Sequence, residues 1–259
     1  MRWIPGSVLI CAAFALVALP DRGLAAPVPK DKKAEAPGPV TPEQLAESKA
    51  NLELIAIAIH NYHDTYKYLP TNQLSRDKKA LLSWRVQLLP FIERNRPLTA
   101  PDVQFVPEEN ALFKQFKLDE PWDSDHNKKL IDKMPKMFAP VRGKFDPGMT
   151  FYQGFSGSNG WLKPGAKFVG SFPDGMSNTL LAAEAAKPVI WTKPDDMVFN
   201  GKDVPGLGGL FDGKFHAAMG SGEVERFRKG IEADTLRRLI DPADGKGLPG
   251  DYGLDREEK

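Results

Sequence analysis

Cysteine is almost missing from this chain of 259 residues, with Cys11 the only one. A single thiol excludes an intrachain disulfide and any Cys-rich zinc site. An excess of charge of one sign is missing too. Lys and Arg number 35 against 34 Asp and Glu, a formal net charge of +1. No global field therefore draws the chain to nucleic acid or to an anionic membrane. No apolar run reaches the about 20 residues that a membrane-spanning helix needs. The P-loop and the dinucleotide fingerprint are absent. Gly154-Phe155-Ser156-Gly157-Ser158 fails the G-x-S-x-G nucleophile elbow at its last position. What is present is a globular composition, 41% hydrophobic and 27% charged, in a chain long enough to bury a core. Its 23 Gly and 23 Pro exceed the usual share and predict many turns.

The N-terminus has the grammar of an export signal. Met1-Arg2-Trp3 is followed by an apolar run from Ser7 to Leu19 and then by Pro20-Asp21-Arg22. That run suits a secretory h-region of about 7–15 residues and is too short to span a bilayer. Gly23 and Ala25 are the small residues a signal peptidase reads, which places cleavage after Ala25. Ile10 is too large for a lipobox, so Cys11 is an ordinary residue of the apolar run. Removing residues 1–25 leaves about 234 residues with no cysteine and equal numbers of acidic and basic groups. Thiol catalysis is thereby excluded from the mature chain. An extracytoplasmic location, periplasmic or secreted, follows as an expectation, with no transmembrane segment in the mature protein.

Residues 26–40 are Pro-rich and charged and read as an extended tether. Thr41-Pro42-Glu43-Gln44 then carries a capping residue, a first-position proline and a capping-box glutamine. Leu45, Leu52, Ile55, Ile59, Tyr62 and Tyr66 form a helical stripe, with Ser48 or Lys49 at the gap, so a long amphipathic helix is expected over about 42–66. Shorter helices are expected over 83–94, 108–116, from 123 or 124 onward, and over 232–240, with a loop over 95–107. Strands are expected at 136–140, 150–155, 167–169, 179–184, 189–191, 215–219 and 224–227, with a hairpin turn at 219–223. Helices first and strands later give an α+β class, the long helix packing on an antiparallel sheet. The expected division is a signal peptide at 1–25, a tether at 26–40, one α+β domain at 41–242 and a polar tail at 243–259.

Several motifs in this frame carry a family likeness. Asn51 to Tyr66 followed by Leu69-Pro70, Leu82-Ser83-Trp84-Arg85-Val86, Leu118 to Ser124 with His126-Asn127, Asp174-Gly175 with Ser177-Asn178-Thr179, Glu184, and Trp191-Thr192-Lys193-Pro194 with Gly208-Gly209-Leu210 occur in order. Together they resemble the domain of unknown function "fifteen-fifty-nine", abundant in planctomycete bacteria, whose better-known members resemble type IV pilins and type II secretion pseudopilins. The resemblance implies a pilin-like head. The prepilin leader and apolar stalk helix of those members are missing here, and Ser221-Gly222 stands where the family usually has Asp-Gly in its last hairpin.

Few residues point to chemistry. His60 and His63 lie three apart on the long helix beside Asp64, a spacing that can hold a metal on one face, but no third ligand is assured. Histidines that satisfy buried backbone groups are the simpler reading, so neither a metal nor a cofactor is expected. Asp123-Ser124-Asp125-His126-Asn127 opens like a calcium loop but has Lys128 where Gly and Met134 where Glu belong, which leaves a helix cap. Asp174, Ser177 and Asn178 form a turn of the kind that carries ligands, and Glu184 follows in a strand; these four are the ligand-binding candidates. No catalytic residue is assigned. Trp84, Trp122, Trp161 and Trp191 read mainly as core. The leading expectation is a non-enzymatic exported head that meets a protein partner at the cell envelope. The alternatives are an extracytoplasmic small-molecule or glycan-binding protein and, third, a carboxylate-based hydrolase.

Overall fold

Thr41 starts the longest element in the way its sequence demands. Its Oγ1 accepts from the Gln44 N–H at 3.3 Å, and its own N–H donates to Gln44 Oε1 at 3.1 Å. This reciprocal capping box opens helix α1 (Pro42–Tyr66). Lys67, at φ 63° with its N–H on the His63 carbonyl, ends it. The computed structural model describes residues 38–92 and 110–256. The signal segment with Ala25, nearly all of the tether and the 95–107 loop lie outside the described residues.

The described residues form an α+β fold. Strands β1 (Met149–Ser156), β2 (Leu180–Ile190), β3 (Met197–Val198), β4 (Phe215–Met219) and β5 (Val224–Phe227) build one sheet in the order β3-β1-β2-β4-β5. The pairs β1–β2, β2–β4 and β4–β5 are antiparallel. The edge pair β1–β3 is parallel, so the sheet is mixed rather than wholly antiparallel. Helix α1 packs on β4, β2 and β5. Leu52, Ile55, Ala56 and Ile59 are fully buried there. Each large apolar side chain so buried contributes about 1.5–3 kcal/mol relative to exposure. Trp84, Trp161 and Trp191 are fully buried in the same core.

Between α1 and the sheet the chain makes short turns, and several expected elements are shortened. The helix expected over 83–94 is α2 (Trp84–Gln87), capped by Ser83 Oγ on Arg85 N, and it passes into a 3-10 turn over Leu89–Phe91. Pro90 has no N–H to continue it. Among the described residues of 108–116 only the 3-10 turn Phe113–Gln115 is helical, and Asn127–Lys133 is likewise 3-10. Two expected strands are absent. Lys136–Phe138 is a 3-10 turn, because Pro135 and Pro140 flank it and Phe138 N and Ala139 N bond back to Pro135 O and Lys136 O at 2.9 Å. Residues 167–169 belong to a distorted helical turn, α3 (Phe168–Ser171). There Lys167 N bonds Ser171 Oγ at 3.0 Å instead of a strand. The last helix is α4 (Ala233–Ile240).

The segments expected at 179–184 and 189–191 join in one long strand, β2. Its register against β1 shifts between Thr150/Val189 and Tyr152/Glu184, a large bulge around Pro188. The 206–209 loop covers the bulge: Ala186 N bonds Gly206 O, while Gly208 N and Gly209 N bond Glu184 O and Ala185 O at 2.9–3.1 Å. The hairpin between β4 and β5 forms as the glycines predict, with Gly222 at φ 95°. Beyond α4 the chain returns to the sheet. Leu254 bridges Phe227, with Arg228 N on Gly253 O and Asp255 N on Arg226 O, both at 2.8 Å.

Candidate functional site

Polar residues at core positions mark the interior of the α1–sheet interface. Ser48 and Asn51 occupy the inward stripe of α1, Tyr152 lies on β1, Glu184 on β2 and His216 on β4, all buried. Ser48 Oγ donates to Glu184 Oε1 and lies 3.0 Å from the Tyr152 hydroxyl. Asn51 Nδ2 reaches that hydroxyl at 3.4 Å. Glu184 Oε2 accepts the His216 backbone N–H at 2.6 Å, and His216 Nδ1 stands 3.5 Å from the same oxygen. Burial, with the neighbouring Glu184 carboxylate adding to it, pushes the Tyr152 phenol well above its ordinary range. Tyr152 therefore stays protonated and serves as a donor and acceptor. Strand alternation turns Glu184 inward, where it links two strands and the helix through one carboxylate.

His216 also opens outward. An open groove of about 580 Å³ lies beside the first two turns of α1. Pro42, Leu45 and Lys49 form one wall, His216, Val224, Glu225 and Arg226 the sheet side, and Leu254, Asp255 and Arg256 the far rim. Asp255 is already held by Lys214 Nζ at 2.9 Å and by Arg226 Nε at 3.0 Å. His216 is 3% exposed, and its Nδ1 has no hydrogen-bond partner among the described residues.

The two helix histidines occupy structural posts. His60 Nε2 lies 3.1 Å from the Gly220 carbonyl of the β4–β5 hairpin, and its ring stacks on Phe168 at 4.3 Å. Burial pulls its imidazole below the usual range, opposed by the Gly220 bond and Asp64. His63 tilts on Phe168 at 4.7 Å and lies 3.7 Å from Asp64. Among the described residues no three His, Cys, Asp or Glu side chains converge as a metal site.

Asp174 and Asn178 share a turn. Asn178 Nδ2 donates to Asp174 O at 2.8 Å. The Asp174 carboxylate accepts Gly245 N at 3.1 Å on both oxygens and ties down the segment after α4. Ser177 is exposed beside them. Glu184 belongs to the separate buried cluster on β2. Asn127, in the calcium-like stretch, turns inward and bonds Lys117 O, Glu120 O and Pro121 O at 2.9–3.2 Å.

A second buried polar centre comes from the Leu82 to Val86 motif. Asp196 Oδ1 receives Arg85 Nη1 at 2.8 Å, Trp84 Nε1 at 2.9 Å and Gly154 N at 3.0 Å, and Oδ2 receives Asn72 Nδ2 at 2.9 Å. Arg85 Nε and Nη2 bond the Trp191 and Asp195 carbonyls at 3.2 and 2.9 Å. Burial pushes the Asp196 carboxyl up, while Arg85 and the other donors pull it back. Both carboxylate oxygens accept protein donors, three on Oδ1 and one on Oδ2, so this centre staples the fold.

The missed members of the first cluster were Ser48, Asn51, Tyr152 and His216. Their signal was a polar residue at an otherwise apolar periodic position: Ser48 in the helix stripe, and His216 within Phe215-His216-Ala217-Ala218-Met219. Residues 46–99 of the chain match the model of a family described as "Protein of unknown function (DUF1559)". No curated protein and no solved structure matches the chain.

Proposed function

From a chain that belongs to the DUF1559 family by its residues 46–99, we infer an exported, pilin-like head that works without catalysis through protein contacts at the cell envelope. The observation that carries this reading is the far end of α1. Tyr66 and Tyr68 are 42% and 41% exposed. Their rings rest on the buried Tyr62 and Phe91 at centroid distances of 4.7–5.8 Å. Half-exposed tyrosines on a rigid aromatic base suit a protein interface, where Tyr offers large contact area at low entropy cost. The long helix laid over a sheet is the architecture expected of a pilin-like head. In-cell photo-cross-linking from position 68 is the test, with Lys79 as the control position. A defined envelope protein cross-linked at 68 and not at 79, on a chain beginning at Ala26, supports the reading. Equal capture at both positions, or an unprocessed chain in the cytoplasm, refutes it.

The groove beside α1 favours a second reading, an extracytoplasmic protein that binds a small molecule. Its volume of about 580 Å³ lies within the usual range for ligand sites.

A further inference from the structure

We propose that the groove between α1 and β5 binds a small organic anion with an apolar tail, its charged end meeting the His216 imidazole. The proposal rests on the second reading above and gives it a ligand class. His216 is 3% exposed, and its ring is part of the groove wall. The inner nitrogen has no hydrogen-bond partner among the described residues and faces Glu184 Oε2 at 3.5 Å. Phe211 packs against the ring edge-on at 5.7 Å, which fixes its plane.

Charge selects the sign of the ligand. Asp255 is neutralised by Lys214 and Arg226. Lys49 and Arg256 then outnumber Glu225 on the groove walls. Lys49 engages only Glu53, at 3.9 Å and mostly in solvent, a pair that contributes little. Leu45, Val224 and Leu254 supply an apolar lining for a short tail.

Anion binding places the imidazole between two carboxylates, Glu184 behind and the ligand in front. The charged groups that share the groove lining with His216 are Lys49 from α1, Glu225 and Arg226 from β5, and Asp255 and Arg256 from the terminal segment, with Glu184 Oε2 of β2 3.5 Å behind the ring.

The test is calorimetric titration of the full processed chain with hexanoate, 1-hexanol and inorganic phosphate. Saturable hexanoate binding is expected, about tenfold tighter than either control. Lys49→Glu with Arg256→Glu, both exposed and safe for folding, should weaken hexanoate about tenfold. His216→Gln should weaken hexanoate by a similar factor. Hexanol binding as tightly as hexanoate overturns the anion proposal while leaving a binding protein. Hexanoate binding unchanged in the charge-reversed variant, or unchanged in His216→Gln, also overturns the proposal. Failure of all three probes to bind overturns both the proposal and the second reading.

Discussion

Removing the Asp196 carboxylate is the sharpest probe of the core. In Asp196→Ala, the Arg85 guanidinium, itself fully buried, loses its counter-ion. The Trp84 indole N–H, the Asn72 amide and the Gly154 N–H lose their acceptor as well. Breaking a buried pair by deleting one partner costs about 3–5 kcal/mol, and each orphaned donor adds about 1–3 kcal/mol where water cannot reach it. Partial relaxation offsets some of this, so about 4 kcal/mol is expected, a large share of the roughly 5–15 kcal/mol that holds a domain together. With a urea slope near the upper end of about 1–3 kcal/mol/M, the midpoint should fall by about 1.5 M. Urea unfolding followed by the fluorescence of the buried tryptophans measures it. Arg85→Met with Asp196→Leu removes both charges and should recover part of the loss. A midpoint shift worth less than about 1 kcal/mol in Asp196→Ala, the level of a solvent-exposed pair, would refute the reasoning.

Two further perturbations test other parts of the fold. Burial lowers the His60 imidazole from its ordinary 6.5, so the unfolded chain takes up the proton first. The stabilisation is complete above about 6.5 and is lost as pH falls through the lower folded value. The urea midpoint should therefore drop between pH 7.5 and pH 5.5, and the drop should shrink in His60→Gln; an equal drop in the variant removes His60 as the cause. At Gly209, an added Cβ would meet the Ala186 carbonyl oxygen at 2.2 Å. Gly209→Ala should displace the 206–209 loop from the β2 bulge and lower the thermal midpoint by several degrees, whereas an unchanged midpoint counts against the close approach.

Much of the fold was legible because local signals agreed. The Thr41-Pro42-Gln44 cap and the stripe ending at Tyr66 placed α1 to the residue. Glycine-flanked apolar runs located β1, β4 and β5. The misses share a physical cause. Segments 136–140 and 167–169 have strand-like side chains, but prolines in one and Gly170 in the other close local turns that propensity does not register. β3 is two residues long and takes its place only by pairing parallel with β1, which no local pattern encodes. Glu184 stood out in its strand, yet its partners came from sequence separations of 136 and 32 residues. A lone polar residue in an apolar element announces that partners exist without naming them.

The return of the chain onto β5 has a consequence for crowding. A solitary sheet offers two outer rows of backbone groups to any copy that drifts near, and such rows template aggregation. Here one outer row belongs to a strand of two residues, Met197–Val198. The other is partly filled by Gly253 and Asp255 bonding Arg228 and Arg226. Along β5 no long unpaired ladder remains among the described residues, and shortening the chain before Gly253 would turn β5 into a free template for self-association.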